Sequence, residues 1–369
     1  AVALGATAGN CDFTCSYPMS PSTAVLTAMA EYSRELDIVV EQTEDEIAAI
    51  NMALGASYAG ARPLVTTSGG GFSLMCEGLS LAGIIETPVV IHLAQRPGPA
   101  TGLPTRTEQG DLELALYGGH GEFPRILLAP GDTREAFFLT QKAFNLADKY
   151  QVPVIVLTDQ FFVDSYYNIE HIDATACENQ RYIVETDESY NRFALTENGI
   201  SPRGIPGYGS GSVNVDSDEH DETGRITEDL TTLRPRMNHK RAFLKTAELE
   251  QDVIEPSLEG PQDYRNLVIC WGSTKNAVSE ACHKLDRDDT AMLHFPQLYP
   301  LPRDIDRLLN TAENTFVVEQ NATGQFANLL HKSFCHHTSE SILKTDGLPF
   351  AVEEIIQELN KRLPGTSAT

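Results

Sequence analysis

The chain has 369 residues, 41% apolar and 21% charged, enough to bury one large core or two smaller ones. Its formal charge of −25 excludes a nucleic-acid-binding surface, which needs clustered Lys and Arg to neutralise phosphate. No apolar run approaches the roughly 20 residues that span a bilayer, so a membrane protein of the helical type is excluded as well.

The opening "AVALGATAGNCDF" is apolar but has no basic leader or polar flank, so it does not read as a signal peptide. Lacking an initiating Met, it reads as a processed or cut chain whose upstream part belongs to another domain or was removed. Five short, continuous apolar runs follow: "LDIVVEQ" (36–42), "PLVTTS" (63–68), "PVVIHLA" (88–94), "PRILLAP" (124–130) and "VPVIVLT" (152–158). Strands covered on both faces look like this. Helix-length segments at 44–61, 71–86 and 132–150 separate them, which implies right-handed βαβ units and a parallel sheet over residues 1–175.

The pattern breaks at about 176–262, an Asp-, Glu-, Gly- and Pro-rich stretch with the acid run "DSDEHDE", which reads as a linker or long excursion. Alternation resumes with "NLVICWG", "AMLHF", "NTFVVEQ" and "SILKT", predicting a smaller α/β domain over 263–369. The seven cysteines are scattered and form no C-x-x-C pair, so they offer no zinc or iron–sulfur ligand set. They read mostly as small buried residues in a reducing, cytoplasmic compartment.

Ligands of open parallel sheets bind beyond the carboxyl ends of the strands. Four such loops carry unusual residues. "YPMSPSTAV" (17–25) is a proline-stiffened turn with Ser20, Ser22 and Thr23 as donors; Ser22 or Thr23 could instead cap the next helix. "EQTEDEIAAI" (41–50) has Thr43 and Glu46 at capping-box spacing, but Glu46 also stands at the mouth of an apolar helix. "TTSGGGFSLM" (66–75) sets Gly69, Gly70 and Gly71 where a strand turns into a helix, leaving backbone free to approach a ligand. "AQRPGPATGLPTRTEQGDL" (94–112) puts Arg96 at a strand end, suited to clasp a carboxylate, with Thr101, Thr105, Arg106 and Gln109 available to line the same opening.

Together "YPMSPST", "EQTEDEIAAI", "TSGGGFSLMCEG", "QRPGPATGLPTRTEQGDL" and "YGGHGEFPRILLAPG" resemble the alpha subunit of the 2-oxoacid:ferredoxin oxidoreductases, most of all the 2-oxoglutarate type. "RGIPG", "VICWGSTK", "LHFPQLYPLP", "VVEQNATGQF" and "KTDGLPF" extend the likeness over the whole chain. The resemblance implies a thiamine-diphosphate-binding domain of the pyrimidine type, then a smaller α/β domain like the transketolase C-terminal one. It implies oxidative decarboxylation of 2-oxoglutarate to succinyl-CoA and CO2, or the reverse carboxylation, with coenzyme A as co-substrate and ferredoxin as electron partner. It places the diphosphate site, Mg2+ and a [4Fe-4S] cluster on a partner beta subunit, with gamma and delta subunits as further candidates.

By the same resemblance Glu46 is the catalytic glutamate that hydrogen-bonds the aminopyrimidine and promotes its imino form. Arg96 binds the substrate C1 carboxylate, and Ser20, where relatives carry Thr, contacts the same group. Thr105 holds a position tied to substrate choice, and Gly69, Gly70 and Gly71 form the cofactor-facing turn, as "GGG" where relatives often have "GPG". Asn321 and Gln325 fall in a family signature near an interface. Two alternatives stay open: the same machinery acting on pyruvate or branched-chain 2-oxoacids, and a non-catalytic assembly subunit.

Overall fold

The computed structural model describes residues 1–169 and 171–363. Strands β1 (Phe13–Ser16), β2 (Val39–Gln42), β3 (Pro63–Thr67), β4 (Val89–Gln95), β5 (Ile126–Leu128) and β6 (Pro153–Asp159) alternate with helices. Then come β7 (Ser257–Glu259), β8 (Asn266–Trp271), β9 (Thr290–Phe295), β10 (Gln297–Tyr299), β11 (Asn314–Glu319) and β12 (Glu340–Leu343). They form two sheets, ordered β10-β5-β6-β4-β3-β1-β2 and β12-β11-β8-β9-β7. Every pairing is parallel except β10 on β5 and β7 on β9.

The apolar runs form strands for the reason expected. Each residue of β3, β4 and β6 is buried, with β4 registered between the other two. Each buried Val, Ile or Leu contributes about 1.5–3 kcal/mol, so these central strands fix the domain. The first run departs from this pattern: in "LDIVVEQ" Ile38 alone is buried, and β2 is an exposed edge strand with Val39 56% exposed. It pairs with β1 on one side, and the other side faces outward. The opening apolar segment forms the helix Val2–Ala8, packed with the helix Thr133–Tyr150.

The second sheet begins with β7, ahead of the boundary predicted at 263, and β10 crosses back from the second half of the chain to the first sheet. Its Gln297 lies opposite Leu128, so one hydrogen-bonded strand pair joins the halves. The acidic stretch before β7 is an excursion clamped onto the first sheet's helices by buried charge. Arg203 Nη1 and Arg62 Nε donate to the two oxygens of Asp148 at 2.9 and 2.8 Å. Lys240 and Lys245 both reach the buried Glu86 carboxylate, and Arg192 donates to the Glu86 carbonyl at 2.6 Å. Acid on the surface of this stretch hides a basic, buried underside.

All seven cysteines are free; Cys11, Cys15 and Cys270 are buried, while Cys76, Cys177 and Cys282 are half-buried and Cys335 is exposed. The expectation that most would be buried is therefore too strong. Among the described residues no helix is long and apolar enough to cross a membrane.

Candidate active site

The four loops singled out in the sequence leave the carboxyl ends of β1, β2, β3 and β4, which are neighbours in the sheet. The chain runs from β1 outward to β2 and then returns across β1 to β3, so the loops open where strand order reverses. Crevices of open α/β sheets lie at such points.

Glu46 is the first residue of the helix Glu46–Tyr58, but it is not part of a capping box. Asp45 is the N-cap, and its Oδ1 accepts from Ala48 N–H at 2.7 Å. Thr43, expected as the cap, donates its hydroxyl to the Asp45 carbonyl at 2.9 Å and so shapes the turn instead. With the cap supplied by a neighbour, the Glu46 carboxyl is released from local duty. It is 3% exposed, and Oε1 is buried without a hydrogen-bond partner among the described residues. Burial raises its pKa above the ordinary carboxylate value; its own backbone N–H opposes the rise and Asp45 adds to it.

The three glycines form the first turn of the helix Gly69–Leu74, not a flexible loop. Two of them are required by space. A Cβ on Gly71 would meet Glu46 Oε1 at 2.5 Å, and one on Gly69 would meet both Asp111 carboxylate oxygens at 2.4 Å. Gly70 faces open space, with the Ala100 carbonyl 3.7 Å from such a Cβ. Gly70 is thus an exposed position in a regular helical turn.

Arg96 and Ser20 are brought together, through the backbone: Arg96 Nη1 donates to the Ser20 carbonyl at 2.6 Å. That is the hydrogen bond of the guanidinium among the described residues, so its remaining donors are unused. The Ser20 side chain is exposed. Ser22 sits at the N-cap of the helix Thr23–Tyr32 without capping it, and its hydroxyl donates to the Met19 carbonyl at 2.7 Å. Thr105 is exposed on the next loop, and its carbonyl accepts from Arg106 Nη1 at 3.0 Å. Among the described residues no hydrogen bond joins Thr105 to Arg96 or Glu46. Arg106 packs beside Gly347.

Gln109 does not line the opening. It is buried between the domains: Nε2 donates to the Trp271 carbonyl at 2.8 Å, and Oε1 accepts from Gln320 N–H at 3.0 Å. Asn321 Nδ2 donates to the Gln109 carbonyl, and Gln325 Nε2 to the Gly110 carbonyl at 2.8 Å. Asn321 and Gln325, which carried no chemical role in the sequence, therefore hold the 94–112 loop through its backbone carbonyls. Glu319 anchors this hinge. It is buried and accepts from Asn321 Nδ2, Trp271 Nε1 and the N–H groups of Phe326 and Ala327.

Asp111 was not singled out in the sequence. Burial and the neighbouring Glu108 push it up to about 7, while Arg96 pulls it down. Nothing in "GDL" signals this, because the burial comes from how the loop folds. Among the described residues no group of three or more His, Cys, Asp or Glu is placed to hold a metal ion.

Residues 4–239 match the family described as "Pyruvate flavodoxin/ferredoxin oxidoreductase, thiamine diP-bdg". The fold and this match define a thiamine-diphosphate-binding α/β protein. A relative from Sulfurisphaera tokodaii, 2-oxoacid:ferredoxin oxidoreductase 1 subunit alpha, is 38% identical over 98% of this chain and 60% of its own length. The 2-oxoglutarate synthase subunit KorA of Archaeoglobus fulgidus is 32% identical over 91% of this chain and 90% of its own. A solved structure, the 2-oxoglutarate:ferredoxin oxidoreductase from Magnetococcus marinus with 2-oxoglutarate, coenzyme A and succinyl-CoA bound, matches with a TM-score of 0.92. It is 34% identical, over 98% of this chain and 63% of that one. The chain belongs to the family of 2-oxoacid:ferredoxin oxidoreductase alpha subunits. It spans 60% of the length of the Sulfurisphaera tokodaii relative.

Proposed function

We propose that this chain supplies the pyrimidine side of an active site that oxidatively decarboxylates a 2-oxoacid, with 2-oxoglutarate as the substrate. Succinyl-CoA and CO2 are the products, or the reactants in the carboxylating direction, and ferredoxin carries the electrons. The diphosphate, Mg2+ and [4Fe-4S] sites belong to a beta partner, and turnover requires both chains. Thiamine diphosphate, when bound, supplies the electron sink for loss of CO2.

The residues fit the aminopyrimidine end of that cofactor. The observation that carries the reading is Glu46, a buried carboxyl whose Oε1 has no partner among the described residues and faces a glycine that keeps the space beside it free. Burial raises the Glu46 pKa, which favours the protonated form able to donate one hydrogen bond to a ring nitrogen placed there. Arg96, bonded once to the Ser20 carbonyl, keeps donors for a carboxylate, which favours a 2-oxoacid over a neutral ketone. A scaffold subunit that had lost the reaction would have no use for this uncompensated acid, since an unpaired buried polar atom costs about 1–3 kcal/mol.

The test is Glu46→Gln in the complex of this chain with its beta partner, assayed with thiamine diphosphate, coenzyme A and a viologen dye. Turnover should fall on the order of 10²-fold or more, as for loss of a proton-transferring group. Wild-type complex that turns over no 2-oxoacid would sink the enzyme reading. A higher kcat/KM for pyruvate or a branched-chain acid than for 2-oxoglutarate would move the substrate to that alternative.

A further inference from the structure

The turn that follows β1 and carries Ser20 is gripped from the neighbouring strand. Thr66 of β3 donates its backbone N–H to Ser16 Oγ at 2.8 Å, where the turn begins. Its hydroxyl reaches the Ser22 carbonyl at 3.4 Å, where the turn ends, beside the Val25 N–H on the same oxygen. Between these points Ser22 Oγ donates to the Met19 carbonyl, and the Ser20 carbonyl takes the Arg96 guanidinium. Thr66 is itself held by His92, its register partner on β4. His92 Nδ1 lies 2.8 Å from Thr66 Oγ1, and Nε2 lies 2.8 Å from Thr158 Oγ1 on β6. All three side chains are buried.

The proton positions are fixed by which groups can only accept. A carbonyl oxygen has no proton to give, so the single hydroxyl proton of Thr66 goes to Ser22. Thr66 Oγ1 then accepts from His92, which puts the ring proton on Nδ1. Nε2 is left as acceptor for the Thr158 hydroxyl, which has no other hydrogen bond among the described residues. A proton on Nε2 as well would strand that of Thr158 and place a charge inside the sheet. Burial opposes that charge and pushes the His92 pKa down to about 3. The relay therefore runs one way, from Thr158 through the neutral ring and Thr66 to the Ser22 carbonyl.

We propose that Thr66 and His92 are positioning residues for the 2-oxoacid carboxylate: Thr66 fixes both ends of the Ser20 turn, and His92, as the Nδ1–H tautomer, commits the Thr66 hydroxyl to it. The inference rests on the reading of Ser20 and Arg96 as the carboxylate site. Arg96 takes its position from the Ser20 carbonyl, so a loosened turn lets the guanidinium swing away from the substrate. No hydrogen bond among the described residues joins this relay to Glu46, so the cost falls on substrate binding rather than on the proton chemistry of the cofactor.

Two measurements on the complex of this chain with its beta partner test the proposal. Nitrogen NMR, with label confined to this chain's histidines, should show His92 protonated on Nδ1 and bare on Nε2, its signals assigned by their loss in His92→Asn. The opposite tautomer overturns the relay whatever the kinetics. Thr66→Val keeps the shape and removes the hydroxyl; it should raise KM for 2-oxoglutarate by about tenfold and change kcat by less than about twofold, the scale of one lost hydrogen bond. Thr66→Ser should bring KM back near the wild-type value, and His92→Leu should raise it as Thr66→Val does. A variant that is merely less stable loses active enzyme, and hence kcat, with KM unmoved; that result overturns the proposal. Arg96→Ala separates the two levels: a wild-type KM there means the Arg96 reading has failed. A raised KM there, with an unmoved KM in Thr66→Val, means that the positioning role alone has failed.

Discussion

At Gly71 a single methyl group tests the architecture of the site. A Cβ there would lie 2.2 Å from Thr67 Oγ1, 2.5 Å from Glu46 Oε1 and 2.8 Å from Glu46 Cγ, against 3.4–4 Å for ordinary contact. Backbone movement offers little relief, because Thr67 ends a fully buried strand and Gly71 sits in the first turn of a helix. The strain falls instead on the Thr67 rotamer and on the Glu46 carboxyl, at about 1–3 kcal/mol for overpacking of this size. Gly71→Ala should therefore lower stability by that amount and displace the Glu46 carboxyl by about 1 Å, a misplacement that costs on the order of 10² in rate. Thermal melting of the chain and 2-oxoacid-dependent dye reduction by the complex measure the two effects. Gly70→Ala is the internal comparison for stability. Its Cβ meets open space, and removing a glycine from a helical turn adds about 0.4–1 kcal/mol. If Gly71→Ala melts no lower than Gly70→Ala, the packing argument is refuted; if it turns over at the wild-type rate, the placement of Glu46 is refuted as a requirement.

Three further expectations concern the surroundings. Asp45→Ala removes the real N-cap and should cost about 0.5–2 kcal/mol by denaturant titration, whereas Glu46→Gln, which breaks no hydrogen bond, should stay well below that. Glu86→Gln leaves Lys240 and Lys245 buried with a neutral partner and should cost about 3–5 kcal/mol in the same titration. Burial alone would raise Glu86, but Lys240, Lys245 and Arg192 outweigh it and hold its carboxyl below the ordinary range. Its contribution is thus complete above the ordinary glutamate value and is lost as pH falls through the lowered one, so Glu86→Gln should flatten acid unfolding. Gln325→Ala frees the Gly110 carbonyl and Glu113 N–H and should raise KM for the 2-oxoacid more than it lowers kcat, since it loosens the loop and leaves Glu46 alone.

What the sequence revealed of this molecule followed from local rules. Continuous β-branched runs gave β3, β4 and β6, and glycines or prolines marked three of the four site loops, those after β1, β3 and β4. Some of its failures come from distance along the chain and others from local backbone geometry. Val39 looks like a core residue until the sheet order places β2 at an edge. Thr43 and Glu46 have capping-box spacing, but Asp45 adopts the extended N-cap conformation and takes the role. Gln109 reads as a polar loop residue; its partners Trp271 and Gln320 lie in the other domain. Asp111 is ordinary in any window of sequence, and its raised titration comes from folding around Gly69, Glu108 and Arg96.

The return of β10 to the first sheet has a consequence for how the protein is made. Until residue 299 has been synthesised, β5 has β6 on one side and an open row of backbone donors and acceptors on the other. Such an edge recruits strands from other chains. Closing it needs Gln297 to find Leu128 across a long stretch of intervening chain, a slow step because loop closure precedes any reward from pairing. A nascent chain therefore cannot complete its cofactor-binding half as an early, self-contained unit. The interval before Tyr299 emerges is when a chaperone holding the β5 edge would matter most to yield.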